Sequence, residues 1–389
     1  MEHDEKLTLA QSAALVWLAG VAPLASLLIP VLLPAMELSL HLAPHELSMA
    51  AAANLSGACI SAVSAPLWLA KISSRQSILL ALGIIILANT AAAFATVPSF
   101  LLPIMLLGGV GTGMALCGGI PLVRRSTRPA RLMSAVQVWQ LVLAAGALRG
   151  AGWLLSFAGL REVLLGVVVA GVVSIPVALS LPAGGAREDR HLPRLADMRP
   201  GAWALVAIFI YFASISTLTN YAGKLGVQNG LSLTFVSSAL AIGNLGALPG
   251  SLIAALANDL TRQRLFLAVG TLLECAALVM LMSAHSAVLF GSAFFVIQIC
   301  ITLIVPIQVA LLIEQDTSGR SIQAMGAMQA VGQAAGPLSV TFAISAANVD
   351  KAYYFAILYV VLGAILIIRP TLRHTANAPE VPDLPRRSL

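Results

Sequence analysis

The sequence predicts an all-α membrane protein of about twelve transmembrane helices, arranged as two six-helix bundles. Composition, the number of long apolar segments and the placement of basic residues lead to this prediction. Of the 389 residues, 59% are hydrophobic and 10% are charged, whereas soluble domains average about 25% charged residues. A single water-soluble core stops growing near about 250–300 residues. We therefore expect lipid to be the solvent for most of this chain.

Twelve apolar segments are long enough to cross a membrane, since a spanning helix needs about 20 mostly apolar residues. Two pairs of segments are separated only by tight connections, near Val97-Pro98 and near His285, and a merger at either place would give eleven or ten spans. The predicted spans are residues 11–36, 46–70, 76–97, 98–121, 131–157, 162–182, 200–222, 231–258, 264–284, 286–313, 322–346 and 351–369.

Basic residues are distributed very unevenly between the two sets of connections. With the N-terminus cytoplasmic, 18 of the 22 Lys and Arg residues fall on the cytoplasmic side. Cytoplasmic loops collect Lys and Arg, so both termini are predicted to be cytoplasmic in an inner membrane. The connections on the other side hold only Arg161, Lys224 and Lys351.

The longest polar interruption lies near the middle of the chain and divides it in two. The predicted organisation is a first bundle over residues 1–182, a cytoplasmic linker over 183–199, a second bundle over 200–372 and a cytoplasmic tail over 373–389. The N-terminus lacks the basic region of a cleaved signal peptide, so the first apolar segment is expected to remain as a span.

Two short matches indicate that the halves are repeats. The segment Leu69–Gln76 matches Leu256–Gln263 at an offset of 187 residues, and Gly146-x-x-x-Gly150 matches Gly332-x-x-x-Gly336 at an offset of 186. Duplicated bundles of equal orientation are related by an axis along the membrane normal, as in many transporters.

These segments resemble the major facilitator superfamily, whose signature G-x-L-a-D-R-x-G-R-R joins spans two and three of a half. The stretch from Gly250 through Asp259, Arg262 and Arg264 resembles this signature, while the copy at Leu69–Arg75 has lost the acid. The resemblance implies a gating role for Asp259 and Arg262 at the cytoplasmic mouth. The region from Asp316 to Arg320, with Gly332 and Gly336-Pro337, is similar to drug-efflux members.

The chain departs from that family's pattern in spans four and five. Proton-coupled members often carry an arginine where this sequence has Met105, before Gly109-Val110-Gly111. The span-five element of efflux members contains proline, whereas here Arg149 stands within Gly146–Gly150. The family's usual proton-coupling residues are therefore not all present.

Two ionisable residues lie deep in predicted spans, where a charge costs about 2.5–3.5 kcal/mol. Arg149 in span five is predicted either to bind an anionic substrate by charge-assisted hydrogen bonds or to tie helix carbonyls or a neighbouring acid. Glu274 in span nine is predicted either to carry a coupled proton or to form a hydrogen bond to a neighbouring helix.

Neutral polar side chains in the spans supply the remaining candidates for substrate binding. Such residues also hold membrane helices together, so a packing role is the alternative for each one. They concentrate in spans that border the central cavity in the fold that the resemblance implies. The candidates are Gln137, Gln140, Tyr211, Asn244, Gln298, Gln329 and Gln333.

The resemblance implies a monomeric secondary active transporter for a small organic molecule, with export favoured and uptake or exchange of an organic anion as the alternative. Membrane lipid and a co-transported proton or ion are the other expected partners. No enzymatic activity, cofactor, metal or nucleic acid is expected, although an intramembrane enzyme or a channel is a distant alternative. The cysteines Cys59, Cys117, Cys275 and Cys300 all lie in apolar segments without metal-ligand spacing.

Overall fold

The structure, a computed structural model, describes residues 6–40, 42–95, 100–127, 129–182, 201–254, 256, 259–316, 320–341 and 349–376. All regular secondary structure in these ranges is helical. The first half of the chain forms α1 (Leu9–Val21), α2 (Leu24–Leu27), α3 (Ile29–Leu40), α4 (Pro44–Leu69), α5 (Ser74–Ala93), α6 (Leu101–Arg124), α7 (Pro129–Leu155) and α8 (Leu160–Leu179).

The second half forms α9 (Ala202–Gln228), α10 (Leu233–Asn244), α11 (Ala247–Ala254), α12 (Leu260–Met282), α13 (Ala287–Gln315), α14 (Arg320–Val340) and α15 (Asp350–Ala376). Below, "first half" means α1–α8 and "second half" means α9–α15.

Ten of the described helical segments are long and apolar enough to cross a membrane, and one of them joins α10 to α11. The two further spans are the interrupted series α1–α3 and the more polar α14. The predicted all-α fold of about twelve spans in two bundles is confirmed.

The spans alternate in direction between two faces of the bundle. The N–H of Leu7 donates to the Arg125 carbonyl at 3.2 Å, which brings the start of α1 to the end of α6. We call this side the N face. On the opposite side, the distal face, the Asn229 amide donates to the Ala284 carbonyl at 3.1 Å, so the ends of α9 and α12 meet.

Helix starts repeat between the halves at the spacing found in the sequence. Helices α5 and α12 begin 186 residues apart, as do α6 and α13. Ser73 and Asp259 cap α5 and α12, because each side chain accepts the backbone N–H three residues later, as N-cap residues do. The acid missing from the first copy of the signature is thus replaced by serine as a cap.

Two spans are interrupted near their middle. The first breaks at Pro23, where proline removes a backbone donor, and the side chains of Thr112 and Gln140 donate to the freed carbonyls of Ala22 at 3.2 Å and Ala19 at 2.8 Å. Span eight breaks between Asn244 and Ala247. Interrupted helices near the membrane midplane are typical of transporter binding sites.

Glycines allow helices within each half to approach closely, as is common in membranes. A Cβ at Gly109 would overlap the Asn54 carbonyl oxygen, so α6 and α4 touch through their backbones there. In the second half, Gly246 and Gly250 allow the same approach of span eight to α13.

Three predicted boundaries differ from the structure or lie outside it. Helix α9 continues to Gln228 rather than ending at residue 222, so Lys224 belongs to a helix and not to a connection. Helix α15 extends to Ala376, into the predicted tail over 373–389. The predicted linker over 183–199 and tail residues 377–389 fall outside the described residues.

Candidate functional site between the two halves

An ion pair joins the halves at the distal face. The Lys224 ammonium of α9 lies 2.9 Å from the Glu37 carboxylate of α3, with the two side chains 8% and 27% exposed. Sequence reasoning placed Lys224 in a loop and did not consider Glu37. Their separation of 187 residues equals the offset between the matching segments Leu69–Gln76 and Leu256–Gln263. This agreement was the indication in the sequence that the two residues lie in corresponding parts of the halves.

Close backbone contacts surround this ion pair. A Cβ at Gly223 would overlap the Pro30 carbonyl oxygen, so α9 and α3 touch at the residue before Lys224. A Cβ at Gly152 of α7 would overlap the Ser237 hydroxyl of α10. The two halves are therefore tightly packed toward the distal face.

The same helices are more open toward the N face. Helix α9 is buried almost all round from Ala213 to Gly226, whereas its first turns alternate between buried and exposed positions. In α7, Gln137 is exposed while Ala144 and Leu148 are buried. The described contacts between the halves thus include tight packing at the distal end, while these two helices are more exposed toward the N face.

Two predicted site residues contact each other at the break in span eight. The Gln298 amide of α13 donates a short hydrogen bond to the Asn244 side-chain oxygen. Asn244 lies seven residues after Ser237 and so shares its helix face. Because Ser237 contacts the first half, Asn244 lies on the interface between the halves, about 10 Å closer to the N face.

The predicted glutamines of α14 and α7 differ in their exposure and contacts, and the contacts that are described lie within each half. Gln329 and Gln333 are half-buried, one turn apart on α14, beside the glycines Gly332 and Gly336 that contact α9. Gln140 is half-buried and bonded to the first span, as described above, whereas Gln137 is exposed.

Asn220 of α9 is a candidate that sequence reasoning missed. It is 5% exposed, and its amide nitrogen has no hydrogen-bond partner among the described residues. It lies three residues before Gly223, just below the distal closure. An unbonded buried donor is costly, which makes this amide a candidate partner for a solute if the closure opens.

Tyr211 and Glu274 contact each other inside the second half. The Tyr211 hydroxyl donates to Glu274 Oε2 at 2.9 Å, and both residues are buried. Glu274 Oε1 has no hydrogen-bond partner, and no described Lys or Arg forms an ion pair with this carboxyl. The Tyr211 hydroxyl is therefore directed at an acid within its own bundle.

Arg149 lies on a different face of α7 from Gln140. It is exposed, seven residues after Val142 and four before Trp153, which are 51% and 58% exposed. Residues at these spacings share one helix face, and an exposed face of valine and tryptophan is typical of lipid contact. Arg149 also lies three residues before Gly152, which contacts Ser237 of the other half, so its predicted role in anion binding stays a prediction.

Asp259 and Arg262 form a local pair at the N face. The Asp259 carboxylate caps α12 by accepting the Arg262 N–H at 2.8 Å, and it also lies 3.2 Å from the Arg262 guanidinium. Both side chains are more than half exposed.

The sequence profile of the Major Facilitator Superfamily matches residues 15–340. The chain belongs to this superfamily. Membership agrees with the paired six-span halves and the interface between them, and it makes this membrane protein a transporter.

A solved structure has the same fold. A point mutant of the nucleoside transporter NupG matches with a TM-score of 0.76 at 12% sequence identity, covering 92% of this chain and 98% of that one. Comparison with curated proteins gives no match.

Proposed function

We propose that the chain is a secondary active transporter that moves a small, neutral, polar solute by alternating access of a site between its halves. The Asn244–Gln298 pair at the break in span eight carries this proposal. In related folds, substrate sites lie near the midplane at the interface of the repeats, and discontinuous helices form them.

The N face is proposed to be cytoplasmic in the inner membrane, with both termini inside. The excess of Lys and Arg on the connections of this face supports that orientation. A transporter closed at the distal face and apart at the N face would then be in its inward-open state, and the distal contacts would have to separate in the outward-open state.

Side-chain amides are the reason to propose a neutral polar solute. Asn244, Gln298, Gln329 and Gln333 each carry a carbonyl acceptor and an amide donor, and Asn220 adds an unbonded donor. Such a set pairs with hydroxyl and amide groups rather than with a net charge. Nucleosides are the first solutes to test, because they have these groups and the fold resembles a nucleoside transporter.

Export is the proposed direction, on the similarity of α14, with Gly332 and Gly336-Pro337, to drug-efflux members. Uptake or exchange is the alternative. Accumulation in inside-out but not right-side-out vesicles would support export, and the reverse would support uptake.

Coupling to a proton is proposed to involve Glu274, whose carboxyl is fully buried in α12. Asp259 and Arg262 are proposed to act in gating at the N face, where they would contact another helix end when that face closes. We further propose that the protein works as a monomer.

The substrate proposal is tested by ligand-induced thermal stabilisation of the purified protein, followed by counterflow in proteoliposomes. Uridine serves as the neutral probe, citrate as the anionic probe and tetraphenylphosphonium as the cationic probe. We expect uridine to stabilise the protein. Asn244→Ala removes one hydrogen bond of about 1 kcal/mol and should weaken uridine binding about five-fold.

Two variants control this experiment. Asn89→Ala removes a buried amide that bonds only within α5 and should leave uridine binding intact, as should Arg149→Ala. Stabilisation by citrate that disappears in Arg149→Ala would instead support the anionic substrate predicted from the sequence and contradict the neutral site.

A further inference from the structure

An open lateral groove lies between α1 and α7 at the N face. Its volume is about 560 Å³, and it is lined by Ser126 and Thr127 at one end and by Leu9, Val16 and Leu132 along its walls. Because Arg131 and Trp139 both line it eight residues apart, it runs about 12 Å along α7. The groove is polar at its mouth and apolar along its length.

Two tryptophans close the inner end of the groove. The Trp17 and Trp139 rings lie 5.5 Å apart at an interplanar angle of 30°. The Trp17 indole donates to the Ser174 hydroxyl of α8 at 2.9 Å, and the Trp139 ring packs on Gly20. A hydrogen bond thus holds the Trp17 ring and packing holds the Trp139 ring, so aromatic side chains line this part of the groove.

The groove faces lipid rather than the interface between the halves. Arg131, Ala135 and Trp139 follow one another at four-residue spacing, and the exposed Val142 lies seven residues after Ala135 on the same face. Gln137, which is open toward the other half, lies on the opposite side of α7. An amphiphile could therefore enter from the membrane without passing through the central site.

The mouth of the groove is basic. Arg131 is exposed and makes no ion pair or hydrogen bond with a described residue. In the sequence, no Asp or Glu occurs from residue 47 to residue 161, so no acid of that segment offsets this charge. Basic pockets beside membrane helices bind anionic lipid headgroups.

We propose that this groove is a binding site for an anionic phospholipid of the leaflet at the N face. The phosphate pairs with the Arg131 guanidinium and accepts from the hydroxyl of Thr127. One acyl chain follows the walls down to Trp17 and Trp139. The walls of the groove fit an acyl chain of an anionic or a zwitterionic lipid equally well. The basic mouth favours the anionic lipid, because a zwitterionic lipid carries no net charge. The site is independent of which solute the transporter carries.

Native mass spectrometry of the purified full-length protein tests this proposal with added phosphatidylglycerol and phosphatidylethanolamine. We expect phosphatidylglycerol to be retained preferentially. Arg131→Gln should lower its retention about five-fold, because one basic residue near a membrane surface contributes about 1 kcal/mol. Ala135→Phe fills the groove without changing the charge and should lower retention of both lipids.

Arg75→Gln removes a basic residue from the same face of the protein, outside the groove, and should retain phosphatidylglycerol as the wild type does. Equal retention of the two lipids by the wild type would overturn the proposal. So would unchanged phosphatidylglycerol retention in both Arg131→Gln and Ala135→Phe. An equal loss in Arg75→Gln would also overturn it, because general surface charge would then account for the binding.

Discussion

Separating Lys224 from Glu37 should shift the protein toward a state that is open at the distal face. Two unit charges at about 4 Å attract by about 4 kcal/mol at an effective dielectric constant of 20, before desolvation is subtracted. Exposed pairs contribute about 0.2–1 kcal/mol, and breaking a buried pair costs about 3–5 kcal/mol. With side chains 8% and 27% exposed, we expect about 2 kcal/mol, which corresponds to a roughly 30-fold change in the ratio of closed to open states.

Spin labels at the distal ends of the two helices report this equilibrium. In a background without the four native cysteines, labels at Leu38→Cys and Val227→Cys lie on exposed positions of α3 and α9. Double electron–electron resonance should give mainly a short distance in the parent protein. Lys224→Ala should add a population at longer distance.

A charge exchange is the decisive variant. Glu37→Lys combined with Lys224→Glu should restore the short distance, while each single reversal should lengthen it more than Lys224→Ala does. Glu46→Gln is the matched control, because that acid caps its own helix by accepting the Ala43 N–H at 2.7 Å. Single reversals that leave the distances unchanged, or an exchange that rescues nothing, would refute the role given to this pair.

Three further predictions concern buried contacts within the halves. Gly109→Ala drives a Cβ into the Asn54 carbonyl and should lower the free energy of unfolding by about 1–3 kcal/mol, measured as a lower thermal unfolding midpoint in detergent. Gly146→Ala is the control, because Gly146 has open space around it, and it should not lower the midpoint. Equal losses in the two variants would contradict the packing described. Glu274→Gln should abolish solute accumulation driven by a proton gradient while retaining counterflow. Full proton-driven accumulation by Glu274→Gln would exclude this acid from coupling. Tyr211→Phe leaves Glu274 without its hydrogen-bond donor and should mainly lower the free energy of unfolding, by about 1–3 kcal/mol.

The spans could be predicted closely because the membrane imposes a length and a composition on each one. Helix α9 exceeds its predicted end because hydropathy treats Lys224 as a loop residue. Its charge is instead compensated within the fold by Glu37, on a helix far away in sequence. A window of neighbouring residues contains no information about that partner.

The interruptions of two spans were harder to predict. Pro23 gives a local reason for the break between α1 and α2, although prolines such as Pro34 and Pro306 lie inside continuous helices of the same protein. At Asn244 the break depends on contacts with α13, since Gly246 allows that helix to approach and Gln298 bonds the asparagine. The decisive contacts are tertiary.

Arg149 shows that the depth of a residue within its span and the direction of its side chain are separate properties. Sequence position gives the depth of Arg149 in its span, and depth alone made it a candidate for substrate binding. Its direction follows from helical phase relative to neighbours: Val142 and Trp153 share its face, whereas Gln140 does not. Phase could have been worked out from the sequence, but which side of α7 is left exposed by the fold could not.

The ion pair at the distal face also bears on how the chain arose. If the two halves descend from one duplicated ancestral bundle, the 186-residue offset of the helix starts pairs Glu37 with Gly223 and Lys224 with Leu38. Each half therefore carries only one of the two charges at these positions, so two copies of the same half would not form this pair. The pair is therefore a property of the joined chain, and it favours pairing of the first half with the second over pairing of either half with itself.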